Sequence, residues 1–122
     1  MDRCYLLVEG QTEETFANRM LVPHLYSMGF QSVVPVVVAT KRVAVGGKMR
    51  GGISSWPKLR DEIGLLVRDS GSLVTTLVDF YGLPKDAPGI NGLQAAWTPQ
   101  QRVAHVEAAL KAEVGSGNFL PH

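Results

Sequence analysis

The sequence predicts an α/β domain in which a parallel sheet is covered by helices. Three observations carry this expectation. Apolar, β-branched runs of strand length recur at residues 4–8, 33–40 and 72–78. Each is followed by a stretch in which apolar residues return at helical spacing. The resulting order, strand-helix three times over, is the one parallel sheets require, because each crossover needs a connection long enough to hold a helix.

Taken in order, residues 4–8 form a continuous apolar run that stops at Glu9-Gly10, as a strand buried on both faces does. Thr12 is the expected N-cap of the first helix, with Glu13 and Glu14 in the first turn, where the helix dipole favours negative charge. Phe16, Met20, Leu21, Leu25 and Met28 mark its apolar face. Pro23 lies inside that pattern and predicts a kink, and Gly29 ends the element. The second strand, 33–40, leads into a glycine-rich basic loop, 41–52, that carries Lys41, Arg42, Lys48 and Arg50. Ser54 or Ser55 caps a second helix with Pro57 near its first turn, and Leu59, Ile63, Leu66 and Val67 form its buried stripe. The third strand, 72–78, ends at Asp79, and the turn formers of FYGLPKDAPGING predict an irregular segment. Thr98-Pro99-Gln100-Gln101 is a capping-box start for a third helix, faced by Val103, Val106 and Leu110 and stopped by Gly115. Residues 118–122 read as the approach to a fourth strand.

Right-handed crossovers place the first strand between the second and third. The expected sheet is therefore small and Rossmann-like, with order 2-1-3 and the fourth strand beside the third. The 122 residues suit one domain spanning 1–122. A hydrophobic share of 45% is enough for a core, and a formal charge of +1 gives no global field to attract nucleic acid or membrane. Any such binding needs a local patch. One cysteine, Cys4, excludes an intramolecular disulfide, and MDRCYLLVEG lacks the apolar core of a secretory leader. No apolar run is long enough to span a bilayer. A cytoplasmic location is expected.

Ligands of such sheets bind beyond the carboxyl ends of the strands, where the strand order reverses. Glu9 ends the first strand and Asp79 the third, on neighbours roughly 4.8 Å apart. Two acids this close repel each other, and a divalent cation removes the conflict. Oxygen-only ligands suit Mg²⁺ or Mn²⁺, with Glu13 as the third carboxylate. Such an ion polarises a phosphoryl oxygen or activates water. Acids also occur at strand ends and helix starts for capping alone, so the pattern by itself leaves both readings open.

The motif LLVEGQTEETF, residues 6–16, resembles the first motif of TOPRIM-type domains, shared by topoisomerases, primases and OLD-type nucleases. Together with RGG (50–52) and TTLVDFYGLP (75–84), it is similar to an uncharacterised bacterial domain-of-unknown-function family of TOPRIM-like character. The resemblance implies a TOPRIM-like fold and a Mg²⁺ (or Mn²⁺) site, with Glu9, Asp79 and Glu13 as metal ligands and catalytic residues. It further implies a metal-dependent nuclease acting on DNA or RNA alongside an ATPase partner in bacterial defence or DNA processing. The chain departs from that pattern in one place: Tyr81 stands where the second aspartate of the DxD pair belongs. The resemblance also implies that the chain corresponds to the N-terminal portion of a longer domain.

Arg50, with Lys48, Arg42 and Lys41, is the expected grip on phosphate or nucleic acid. As a third possibility, the same basic loop binds a nucleotide or small anion. Gly10-Gln11-Thr12 lacks the GxxxxGK(S/T) pattern, and its flanking glutamates repel anions, so no phosphate loop is expected there. Phe80 and Tyr81 are suited to stacking a base but are expected to anchor their loop to the core, while Trp56 and Trp97 are expected to pack on the sheet. His24 and His105 have no metal-ligand spacing, and Cys4 is expected to be inert packing. The alternative to an enzyme is a non-catalytic interaction module, a homodimer included, formed through an open sheet edge.

Overall fold

The computed structural model describes residues 2–38 and 55–122, together with the backbone of 43–45 and 48–50. Its main sheet has four strands: β1 (Arg3–Val8), β2 (Ser32–Val37), β5 (Ser72–Leu77) and β6 (Phe119–Leu120). They run in the order β2-β1-β5-β6, with every neighbouring pair parallel. The expected 2-1-3 arrangement, with the fourth strand beside the third, is the one formed. Pro35 carries no amide hydrogen and lies in β2, an edge strand, which is where a sheet tolerates proline.

β1 is central and apolar on both faces, and its side chains divide between two cores at period two. Cys4, Leu6 and Val8 pack with Ala17 and Val33 under the first helical segment. Leu7 faces the other way and joins Val74, Phe119, Leu59, Ile63, Val106 and Leu110. That larger core is covered by α3 (Trp56–Val67) and α4 (Pro99–Val114). Trp56 is buried in it, as expected, and Cys4 is buried with its thiol pKa pushed up by desolvation.

The first helical segment departs from its expected form in two ways. Its N-cap is Gly10, with no side-chain cap bond, so Thr12 lies inside α1 (Gln11–Phe16) rather than capping it. A π-helical turn, Ala17–Leu21, then precedes α2 (Val22–Ser27), and the Val22 N–H donates to the Ala17 carbonyl five residues back. Pro23 cannot donate to the carbonyl four residues before it, so the ladder widens just upstream. The extra residue rotates the face. Ala17, Leu21, Val22 and Leu25 pack inward, while Phe16, Met20 and Met28, expected in the stripe, are exposed.

Ser55 caps α3 by accepting from the Lys58 N–H. Thr98 and Gln101 form the complete capping box of α4, and Gly115 closes that helix with a φ of 69°, a conformation a Cβ disfavours. Leu59 and Ile63 are buried and Leu66 and Val67 pack against them, as the stripe predicts, but Val103 of α4 is partly exposed. The segment expected to be irregular contains two 3₁₀ turns, Phe80–Gly82 and Ile90–Gly92, and Asp86 ties it to α3 by accepting from the Trp56 N–H at 2.9 Å. Asn118 fixes the approach to β6: its amide donates to the carbonyls of Val67, Asp69 and Ser72. Among the described residues, no helix is long and apolar enough to cross a membrane.

Candidate active site at the carboxyl ends of β1 and β5

The register that pairs Val8 with Leu77 places Glu9 and Asp79 just beyond the ends of adjacent parallel strands. The geometric premise read from the sequence is therefore met. Glu9 is half-buried, and its carboxyl pKa is raised. Desolvation is the main cause, followed by the negative charges of Glu13 and then Asp79. A hydrogen bond from the Asp79 backbone opposes the rise. No described cation pairs with Glu9.

Gly82 completes this corner. A Cβ there would lie 2.5 Å and 2.8 Å from the two Glu9 carboxylate oxygens, so any larger residue would push the Glu9 carboxylate out of its present position. Asp79 produces the approach. Its Oδ1 accepts from the Tyr81 N–H at 3.1 Å and its carbonyl accepts from the Gly82 N–H at 2.9 Å, closing the 3₁₀ turn that brings Gly82 against Glu9. Asp79 thus has a structural duty of its own. Gly82 was not singled out from the sequence, and its only local signal is a glycine three residues after the strand-ending acid.

Glu13 sits in the first turn of α1 and folds back toward Gly10: a Cβ on Gly10 would meet its Oε2 at 3.4 Å. The three acids therefore share one corner but do not converge. Among the described residues, no three His, Cys, Asp or Glu side chains are arranged as a metal-holding group. A site built entirely of protein ligands is thus not assembled. Mg²⁺ asks for less, commonly one or two carboxylates with water completing its shell. The crowded, oxygen-only charge around Glu9 fits an ion of that kind.

Lys41 and Arg42 lie outside the described residues. Lys48 and Arg50 belong to β4 (Lys48–Arg50), which pairs antiparallel with β3 (Val43–Val45). Part of the expected basic loop is therefore a small β-ladder. Its sequence signal is the Gly46-Gly47 pair between two short runs.

Two aromatic expectations are corrected. Phe80 does pack against the larger core, but Tyr81 is 91% exposed and anchors nothing. Trp97 leans on His105, with ring centroids 5.0 Å apart, and lines a surface cleft rather than joining a core cluster. Tyr81, on the turn that brings Gly82 against Glu9, projects outward into solvent.

No curated protein and no solved structure matches this chain. A family model described as a domain of unknown function, DUF4276, matches residues 8–122, and the chain belongs to that family.

Proposed function

We propose that this domain is a Mg²⁺- or Mn²⁺-dependent phosphodiesterase acting on nucleic acid, with Glu9 at its centre. One observation carries the reading: Glu9 is half-buried beside Asp79 and Glu13, its pKa raised partly by their charges, with no described cation to balance them. The likeness of residues 6–16 to the first TOPRIM motif supports it, and the glutamate in that motif is Glu9.

Glu9 and Asp79 would hold the ion, which when bound supplies Lewis-acid polarisation of a phosphate oxygen and activation of water. Glu13, one helical turn away, would serve as the general base that takes the proton from the attacking water. Gly82 keeps Glu9 in place, and the Asp79 backbone hydrogen bond orients its carboxylate. Arg50 and Lys48, with Arg42 and Lys41, steady the phosphate chain. An ATPase partner belongs to the same reading.

The test is cleavage of single- and double-stranded DNA and RNA with Mg²⁺ or Mn²⁺, for the wild type and Glu9→Gln. Metal-dependent cleavage that Glu9→Gln abolishes is the expected result. Failure of the wild type on every substrate, or unchanged cleavage by Glu9→Gln, removes the reading.

A second reading, a non-catalytic interaction module, is favoured by the lack of a convergent three-acid group among the described residues and by Tyr81 at the second acid position. It expects self-association through the edge strands β2 and β6. A monomeric elution volume together with a Mg²⁺-dependent thermal shift rejects it.

A further inference from the structure

We infer that the cleft beside the 79–82 turn is a stacking site for an unpaired nucleobase. The cleft has a volume of about 350 Å³ and is lined by Phe80, Tyr81, Trp97, Pro99, Arg102 and Val103. Its size falls at the small end of ligand sites, about 300–1,000 Å³. Its chemistry is more telling than its size. Three aromatic rings and a guanidinium border one opening, the combination that receives a base by stacking and its backbone phosphate by charge.

Phe80, Trp97 and Arg102 are held in place before anything binds. Phe80 is rooted in the larger core, and Tyr81 meets it edge-on with centroids 5.5 Å apart and planes at 86°. Tyr81 is 91% exposed, a large aromatic surface left in water that no packing duty explains. Trp97 is backed by His105. Arg102 donates its Nε–H to the Trp97 carbonyl at 3.3 Å and an Nη2–H to the Ala95 carbonyl at 3.0 Å. The cation is therefore held at the cleft instead of sweeping through solvent, so ordering it on binding costs little.

Position gives the site its meaning. Tyr81 lies on the same 3₁₀ turn whose next residue, Gly82, touches Glu9 and whose first carboxylate is Asp79. A strand with one base in the cleft has its sugar-phosphate chain beside the acidic corner. A duplex hides its bases from such a cleft, so the occupant is single-stranded DNA or RNA, or a free nucleotide carrying the same base. The inference deepens the proposed function and rests on it for the choice of a polymer.

The experiment is fluorescence anisotropy with a short fluorescein-labelled oligothymidylate, in EDTA so that binding is read without cleavage, alongside intrinsic tryptophan emission. Wild-type protein is expected to bind with quenched emission. Tyr81→Ala, a substitution at an exposed position that leaves folding intact, is expected to weaken binding about 5- to 100-fold, and Tyr81→Phe to restore it. Unlabelled single strand should compete, and the same sequence as duplex should not. Competition by AMP as strong as by the strand, with the same Tyr81→Ala loss, identifies the free nucleotide as the source of the base. Equal binding by wild type and Tyr81→Ala, or equal competition by duplex, overturns the inference even if metal-dependent cleavage is found. Binding in EDTA with no cleavage under any metal leaves the stacking site standing and removes the phosphodiesterase.

Discussion

Glu9 concentrates the functional argument at the scale of single residues, because its burial and its neighbours both disfavour its charge. A carboxyl whose folded pKa is raised holds its proton longer in the native state than in the unfolded chain. Stability from this group is therefore full below the unfolded value and is lost as pH rises through the folded value. Glu9→Gln removes that loss, so it should raise the melting temperature at about pH 7 while changing little at about pH 4, where both states are largely protonated. Thermal melts at the two pH values check this, and a uniform change would contradict it. Asp69 behaves in the opposite sense. Its pKa is lowered, first by the hydrogen bond from Arg3, so its contribution is present above the unfolded value and disappears as pH falls through the folded one. Gly82→Ala presses a methyl group into the Glu9 carboxylate. Displacing that group by about 1 Å should lower metal-dependent cleavage about 100-fold. A melting temperature close to wild type would locate the loss in positioning, whereas unchanged kinetics would show that Glu9 needs no such seat.

Elements differ in how openly their sequences declare them. The start of α4 was legible in full, because a capping box is a local agreement between Thr98 and Gln101, each bonding the other's backbone at 3.2 and 2.9 Å. Thr98→Ala should cost about 1 kcal/mol in urea unfolding, with an unchanged denaturant slope. The start of α1 was not legible. Thr12 has the chemistry of a cap, but the chain enters the helix two residues earlier at Gly10, straight from the buried end of β1. Pro23 announced a break, yet not its form: a π turn upstream that moves Phe16 and Met20 to the surface. The 3₁₀ turn after β5 is the element on which both the acidic corner and the aromatic cleft depend. Asp79 and glycine are common turn formers in any loop, so the sequence signalled a turn without its partners.

At the scale of the whole molecule, the sheet is the frame that makes the corner. β1 reaches both cores, so losing one of its inward side chains affects the entire fold. Leu7 is fully buried among side chains of α3, α4, β5 and β6, and Leu7→Ala should cost about 2–5 kcal/mol by chemical denaturation. A cost near zero would mean that the two layers are not packed as described. The order of the main-sheet strands and the helices that connect them, the central place of β1, and the acids at the ends of β1 and β5 were determined by the sequence alone. Periodicity, capping and crossover handedness are local or topological rules that act along the chain. Only the tertiary structure decided that Gly82 seats Glu9, that Tyr81 turns to solvent, and that Trp97 and Arg102 meet it across a cleft. Those contacts join segments distant in the chain, and their distances are set by how the layers pack.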